Sequence, residues 1–103
     1  MLSNTEIKKV KKHLEHKDMK FVGMFKTLSD VNRCKIFTTL IDGSSLSVSV
    51  VAKVLDISLP LASQHLKILL NSGLVKKEKI GQKAYYKLER NNPVLDAIIK
   101  IVK

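Results

Sequence analysis

Apolar residues recur at every third or fourth position through most of the chain, and the breaks in that rhythm divide it into units. Ile7, Val10 and Leu14, then Phe21, Val22, Phe25 and Leu28, keep the spacing of an amphipathic helix, and Ser3 with Glu6 can form a capping box at its start. The polar run from Glu15 to Lys20 either bends this helix or splits it in two, and both remain open. A second helical unit begins at Ser29 or Asp30 as N-cap, carries a stripe of Val31, Cys34, Phe37, Leu40 and Ile41, and stops at Gly43. Ser47 caps a third. Its valines suit a strand, but Val48, Val51, Ala52 and Leu55 fall at helical spacing, and Ser58 with Pro60 opens another helix within a few residues. A short helix, a turn over 56–58 and a longer helix ending at Gly73 make a helix-turn-helix over 47–72.

After Gly73 the period shortens. Residues 75–89 alternate, or nearly alternate, apolar and charged side chains on both sides of Gly81-Gln82, with Val75, Ile80, Tyr85, Tyr86 and Leu88 as β-formers, which predicts a two-stranded hairpin, or wing. Asn92-Pro93 restarts a helix over 92–103 with Val94, Leu95, Ile98, Ile99 and Val102 apolar. So much aliphatic surface on a terminal helix is poorly buried in a monomer and calls for a partner subunit. The predicted fold is a single domain over 1–103, mainly α with a small β-hairpin: a winged helix-turn-helix in the order α-α-α-α-β-β-α, with residues 1–28 as an N-terminal helix region.

Within "PLASQHLKILLNSGL" (60–74), setting Ser63 to zero and turning about 100° per residue puts Ala62, Leu66, Leu69, Leu70 and Gly73 in one arc, roughly 240° to 340°. Ser63, Gln64, Lys67 and Asn71 share a polar arc from 0° to roughly 100°, joining an amide able to meet a base edge twice to a cation suited to phosphate. His65, near 200°, belongs at the edge of the core, placed to bond a backbone carbonyl. Residues two apart on a helix do not face each other, so Ser63 and His65 form no catalytic pair. No nucleophile elbow or triad order appears elsewhere, and an enzyme is not expected.

Composition sharpens this picture. Nineteen Lys and Arg against 9 Asp and Glu leave a net charge of +10 on 103 residues, an excess that suits a polyanion, nucleic acid before an anionic membrane surface. Only Arg33 and Arg90 among those cations are Arg, so most of the attraction is point-charge contact with phosphate. The wing carries Lys76, Lys77, Lys79, Lys83 and Lys87 against Glu78 alone, and Gly81 permits a tight tip. A Lys-rich edge also deters strand-to-strand aggregation. Cys34 is the only cysteine, which excludes an intramolecular disulfide, suits a reducing cytoplasmic setting, and reads as a small buried apolar residue. The N-terminus is too polar for a signal peptide, and no run of 18 apolar residues occurs.

Leu28-Ser29-Asp30 with Arg33, Ser63 with His65-Leu66 and Leu69, Gly73-Leu74-Val75, Gly81, and Tyr86 with Leu88 together resemble the pattern of the ArsR/SmtB family of bacterial winged-helix repressors, over roughly residues 25 to 90. The resemblance implies a homodimer through the first and last helices, an inverted-repeat operator in double-stranded DNA, and repression lifted by an inducer. The two recognition helices would enter successive major grooves about 34 Å apart. Arsenic- and cadmium-responsive members carry Cys-Val-Cys where this chain has Ser47-Val48-Ser49, and hydroxyls are poor ligands for soft ions. Zinc-responsive members place ligands along the last helix. This chain has Asp96 there, followed by Ile99, Lys100 and Val102, and redox sensing through a cysteine pair lacks a second thiol.

The expected function is a dimeric DNA-binding repressor that needs no cofactor and whose inducer the sequence does not name. Ser63, Gln64 and Lys67 are expected in the major groove, Lys79, Gln82 and Lys83 at the wing contacts, and Ser47 and Ser58 on phosphate near helix N-termini, where the dipole favours an anion. Two alternatives stand beside it. One is a winged-helix module that binds another protein. The other is a metal-responsive repressor using His13 and His16, three apart on the first helix with Glu15 or Asp18 nearby, or joined by Asp96 across a dimer.

Overall fold

The structure, a computed structural model, describes residues 1–17 and 19–103, apart from the side chain of Lys20; Asp18 therefore lies outside the described residues. Helix α1 (Asn4–Glu15) begins with the expected capping box: Ser3 Oγ accepts from Glu6 N, and Glu6 Oε1 accepts from Ser3 N, both at 3.2 Å. A separate helix, α2 (Lys20–Leu28), follows, so of the two possibilities left open the split one holds, and five helices precede the wing among the described residues. Next come α3 (Val31–Leu40), the short strand β1 (Leu46–Ser47), α4 (Val48–Leu55) and α5 (Leu59–Asn71). Strands β2 (Val75–Ile80) and β3 (Lys83–Leu88) form the wing, and α6 (Pro93–Val102) closes the chain. No helix among the described residues is long and apolar enough to cross a membrane.

The sheet has three strands in the order β1-β3-β2, all antiparallel, instead of the two expected. In β1, Leu46 pairs with Tyr86 and Ser47 with Tyr85, tying the start of α4 to the wing. Two residues are too few to show an alternation, and Ser47 also serves as the helix cap, which is the stronger local signal.

The core is built from Phe37 and Leu40 of α3, Ala62, Leu66 and Leu69 of α5, Leu74, and Leu95 of α6, all fully buried. On α3 the predicted stripe is rotated. Ile36 is buried, Val31 is 66% exposed, and Cys34 is half-buried rather than internal. The core-facing position in the first turn belongs to Arg33, a polar residue, so periodicity is drawn instead to Val31 and Cys34. Asp30, rather than Ser29, is the N-cap, accepting from Arg33 N at 3.0 Å.

The last helix also departs from expectation. Leu95, Ile98 and Ile99 are buried against their own chain, leaving Ile101 and Val102 exposed. The larger unsatisfied apolar surface lies at the other end: α1 has no buried residue, and Ile7, Val10, Leu14, Val22 and Phe25 are all exposed. The Phe25 ring meets Phe21 edge to face at 5.9 Å.

Candidate nucleic-acid interface

Local chemistry fixes the helix-turn-helix. Ser47 caps α4 by accepting from Val50 N at 3.4 Å, and Ser58 caps α5 by accepting from Leu61 N at 3.2 Å. Between them Asp56 takes the left-handed conformation (φ 56°), the only non-glycine residue with positive φ among those described. That conformation lets Ile57 N donate back to Ala52 O at 3.0 Å and ends α4 sharply. Both serine oxygens accept within caps; the Ser58 hydroxyl hydrogen is left to donate elsewhere, and the Ser47 hydroxyl also shares a hydrogen bond with Ser49 Oγ.

Rotation of α5 about its axis is set by what it buries. Ala62, Leu66 and Leu69 face the core, and Ser63, Gln64, Lys67 and Asn71 are all exposed on the opposite side. His65 is buried beneath, and its partner is a side chain rather than a carbonyl. Arg33 Nη1 donates to His65 Nδ1 at 3.3 Å, Arg33 Nε donates to Thr27 O at 2.8 Å, and Asp30 Oδ2 lies 3.9 Å from the same imidazole nitrogen. Because a guanidinium can only donate, Nδ1 is the acceptor in this arrangement and the ring hydrogen sits on Nε2. The backbone N–H of Arg33 is the chief cause of an Asp30 carboxyl held below its ordinary range, with the charge of Arg33 adding to it. Arg33 thus joins the end of α2, the start of α3 and the buried side of α5. Ser63 and His65 lie on different faces and form no pair.

The wing is a hairpin with a two-residue tip. Gly81 has φ 64° while Gln82 does not enter the positive region, the pattern of a type II′ turn suited to the twist of paired strands. Lys79 pairs with Ala84 and Ile80 with Lys83, so Lys79 and Lys83 project from opposite faces of the hairpin, with Gln82 exposed between them. Lys87 and Glu78 form a diagonal ion pair across the strands, and this contact lowers the Glu78 carboxyl's affinity for a proton. Glu78 is therefore matched to one lysine near the base, and the tip keeps an unopposed positive charge.

Within one chain, the described candidate metal ligands do not form a group of three. His13 and His16 sit at the exposed end of α1, Glu15 beside them, and Asp96 is in the first turn of α6. Among the described residues no three His, Cys, Asp or Glu side chains lie close enough to hold an ion. Where the resemblance would place a Cys-Val-Cys, Ser47 Oγ and Ser49 Oγ are 3.2 Å apart. Cys34 lines an open cleft between α3 and α4 with Leu28, Val31, Thr38, Val54 and Leu55.

Sequence reasoning passes over two features. One is the Arg33–His65 link, which needs α3 and α5 placed in space. The other is a run of exposed apolar residues, Leu59, Pro60 and Leu61, on the leading turn of α5; its signal was available in the wheel, where neither Pro60 nor Leu61 belongs to the buried arc.

Known proteins share this arrangement. The sequence profile of the bacterial regulatory proteins of the arsR family matches residues 30–77, from the Asp30 cap into the wing. A homologue of the cadmium resistance transcriptional regulatory protein CadC from Staphylococcus aureus is 36% identical over 85 residues, covering 82% of this chain and 70% of that protein. The chain belongs to the ArsR family. This ArsR-family member is also 41% identical over 64 residues to the cadmium resistance transcriptional regulatory protein CadC of Listeria innocua, a match that covers 62% of the chain but spans only about half, 54%, of that regulator. Its fold superposes on reduced HlyU from Vibrio cholerae with a TM-score of 0.75 at 30% identity, covering 88% of this chain and 93% of that one. The family is one of transcriptional regulators rather than enzymes, and the winged helix-turn-helix is its common fold.

Proposed function

We propose that the chain is a dimeric, sequence-specific transcriptional repressor that acts on an inverted-repeat operator in double-stranded DNA in the cytoplasm. The observation that carries this reading is the exposure of Ser63, Gln64 and Lys67 along one side of α5 while the other side is locked into the core. Gln64 offers the donor and acceptor pair that matches the N7 and N6 edge of adenine, and Lys67 meets phosphate. Lys79, Gln82 and Lys83 grip the backbone at the wing tip. Ser47 and Ser58 donate their hydroxyl hydrogens to phosphate from the N-terminal ends of α4 and α5.

Dimerisation is supported by shape and surface. A compact chain of about 100 residues has a radius of gyration near 13 Å, whereas this one has 17.6 Å and measures 60 × 24 × 23 Å. The exposed aliphatic faces of α1 and α2, with the tip of α6, are the surface a second copy would cover. Serines at the thiolate positions support an inducer other than a thiophilic metal.

Salt-titrated binding to duplex DNA tests the proposal. A repressor that contacts several phosphates loses affinity by orders of magnitude between about 50 and 200 mM salt. A folded protein that ignores duplex DNA at low ionic strength is instead a protein-binding module.

A further inference from the structure

The leading turn of α5 carries apolar side chains into solvent. Leu59 is 54% and Leu61 37% exposed, and Pro60 lies exposed between them. Leu59 has a structural reason for its position, since it lines the shallow cleft made by Ser49, Ala52, Lys53, Asp56 and Ile57. Leu61 is not among the residues of that cleft. Turning about 100° per residue puts Pro60 between Lys67 and Asn71, inside the polar arc, and Leu61 on the flank of that arc, between exposed Gln64 and buried His65.

The N-terminal residues of a recognition helix are those that reach base edges, and the only apolar feature on the major-groove floor is the C5-methyl group of thymine. We infer that Leu61, supported by Pro60, reads a thymine methyl next to the adenine addressed by Gln64, so that each half-site of the operator contains an A·T pair recognised by one amide and one aliphatic contact. This rests on the proposal that α5 docks in the major groove, and it adds a specificity determinant that the polar arc alone does not supply.

The test starts from duplexes selected by the wild-type protein from a randomised pool, then resynthesised with uracil replacing thymine one position at a time. Uracil keeps the hydrogen-bonding edge and removes only the methyl. At one position per half-site, uracil is expected to weaken wild-type binding about threefold to fivefold, the size of one buried methyl group. Leu61→Ala should bind thymine and uracil duplexes equally while keeping its salt-dependent affinity for unrelated DNA. Leu61→Ser provides a second variant should Leu61→Ala fold poorly. Wild-type protein that binds with a steep salt dependence yet is indifferent to uracil everywhere overturns this inference alone and leaves Leu61 as a surface for some other partner. Undiminished uracil sensitivity in both variants overturns it too. Failure of the wild type to select or bind any duplex would instead remove the DNA-binding proposal beneath it.

Discussion

Gln64 and His65 are neighbours in sequence with opposite fates, and the contrast comes from which side of α5 each occupies. Gln64 is exposed and unencumbered, so Gln64→Ala is expected to weaken operator binding by about 1–3 kcal/mol and binding to unrelated duplex by less. Parallel anisotropy titrations on the two duplexes would reveal the difference, and equal losses would mean that Gln64 reads no base. His65 instead acts through Arg33, so His65→Ala leaves a part-buried guanidinium short of a partner and opens a gap under the helix. A loss of about 1–3 kcal/mol in chemical denaturation is expected. The exposed arc around Gln64 was legible because a helix with one long aliphatic stripe has only one way to face a core. The Arg33 contact was not legible, because residues 32 positions apart meet only once α3 and α5 have packed.

At the level of elements, capping and turn chemistry explain most of what the sequence makes readable. Ser3, Ser47, Ser58 and Asn92 all cap the helices they precede, and Gly81-Gln82 sets the wing register residue for residue. The turn inside the helix-turn-helix is held at an energetic disadvantage, because Asp56 adopts a conformation that glycine enters without a Cβ penalty. Asp56→Gly should therefore raise stability by about 0.5–1 kcal/mol, and Asp56→Val should lower it, as thermal melts would show. Lys83→Ala should weaken all duplexes alike and flatten the salt dependence by about one unit of slope. An unchanged slope would take the wing out of the phosphate contacts. What stayed hidden at this scale was β1, whose two residues carry no periodicity, and the phase of α3, where a polar residue occupies a core-facing position.

For the whole molecule, the separation of a well-packed centre from an unburied first helix predicts stability that depends on protein concentration. The melting midpoint should rise with concentration for the wild type and lose that dependence in a Val10→Glu, Leu14→Glu double variant, because a partner that binds only the folded chain stabilises it by mass action. Acid sensitivity follows from three carboxyls held below their ordinary range: Asp30 by the Arg33 backbone, Asp42 by the Ser44 hydroxyl and backbone, and Glu78 by Lys87. A depressed folded value means that each bond contributes fully above about pH 4 and is lost as pH falls through the folded value, so denaturation midpoints should be flat near neutrality and drop in acid. Charge and the apolar last helix lead from the sequence to the expectation of a polyanion and a second copy, but the location of the uncovered surface was only half legible, since α6 finds cover within its own chain.

The placement of Lys79 and Lys83 on opposite flat sides of the hairpin has a consequence for how the wing tolerates variation in its target. A blade that is cationic on a single side must present that side to the DNA, whereas one that is cationic on both can meet a backbone rail on its left, on its right, or one on each as it enters a groove. In the proposed complex, rolling the blade would exchange one ammonium for the other with little change in attraction, so the wing would contribute grip without dictating local groove width and would leave discrimination between sites to α5.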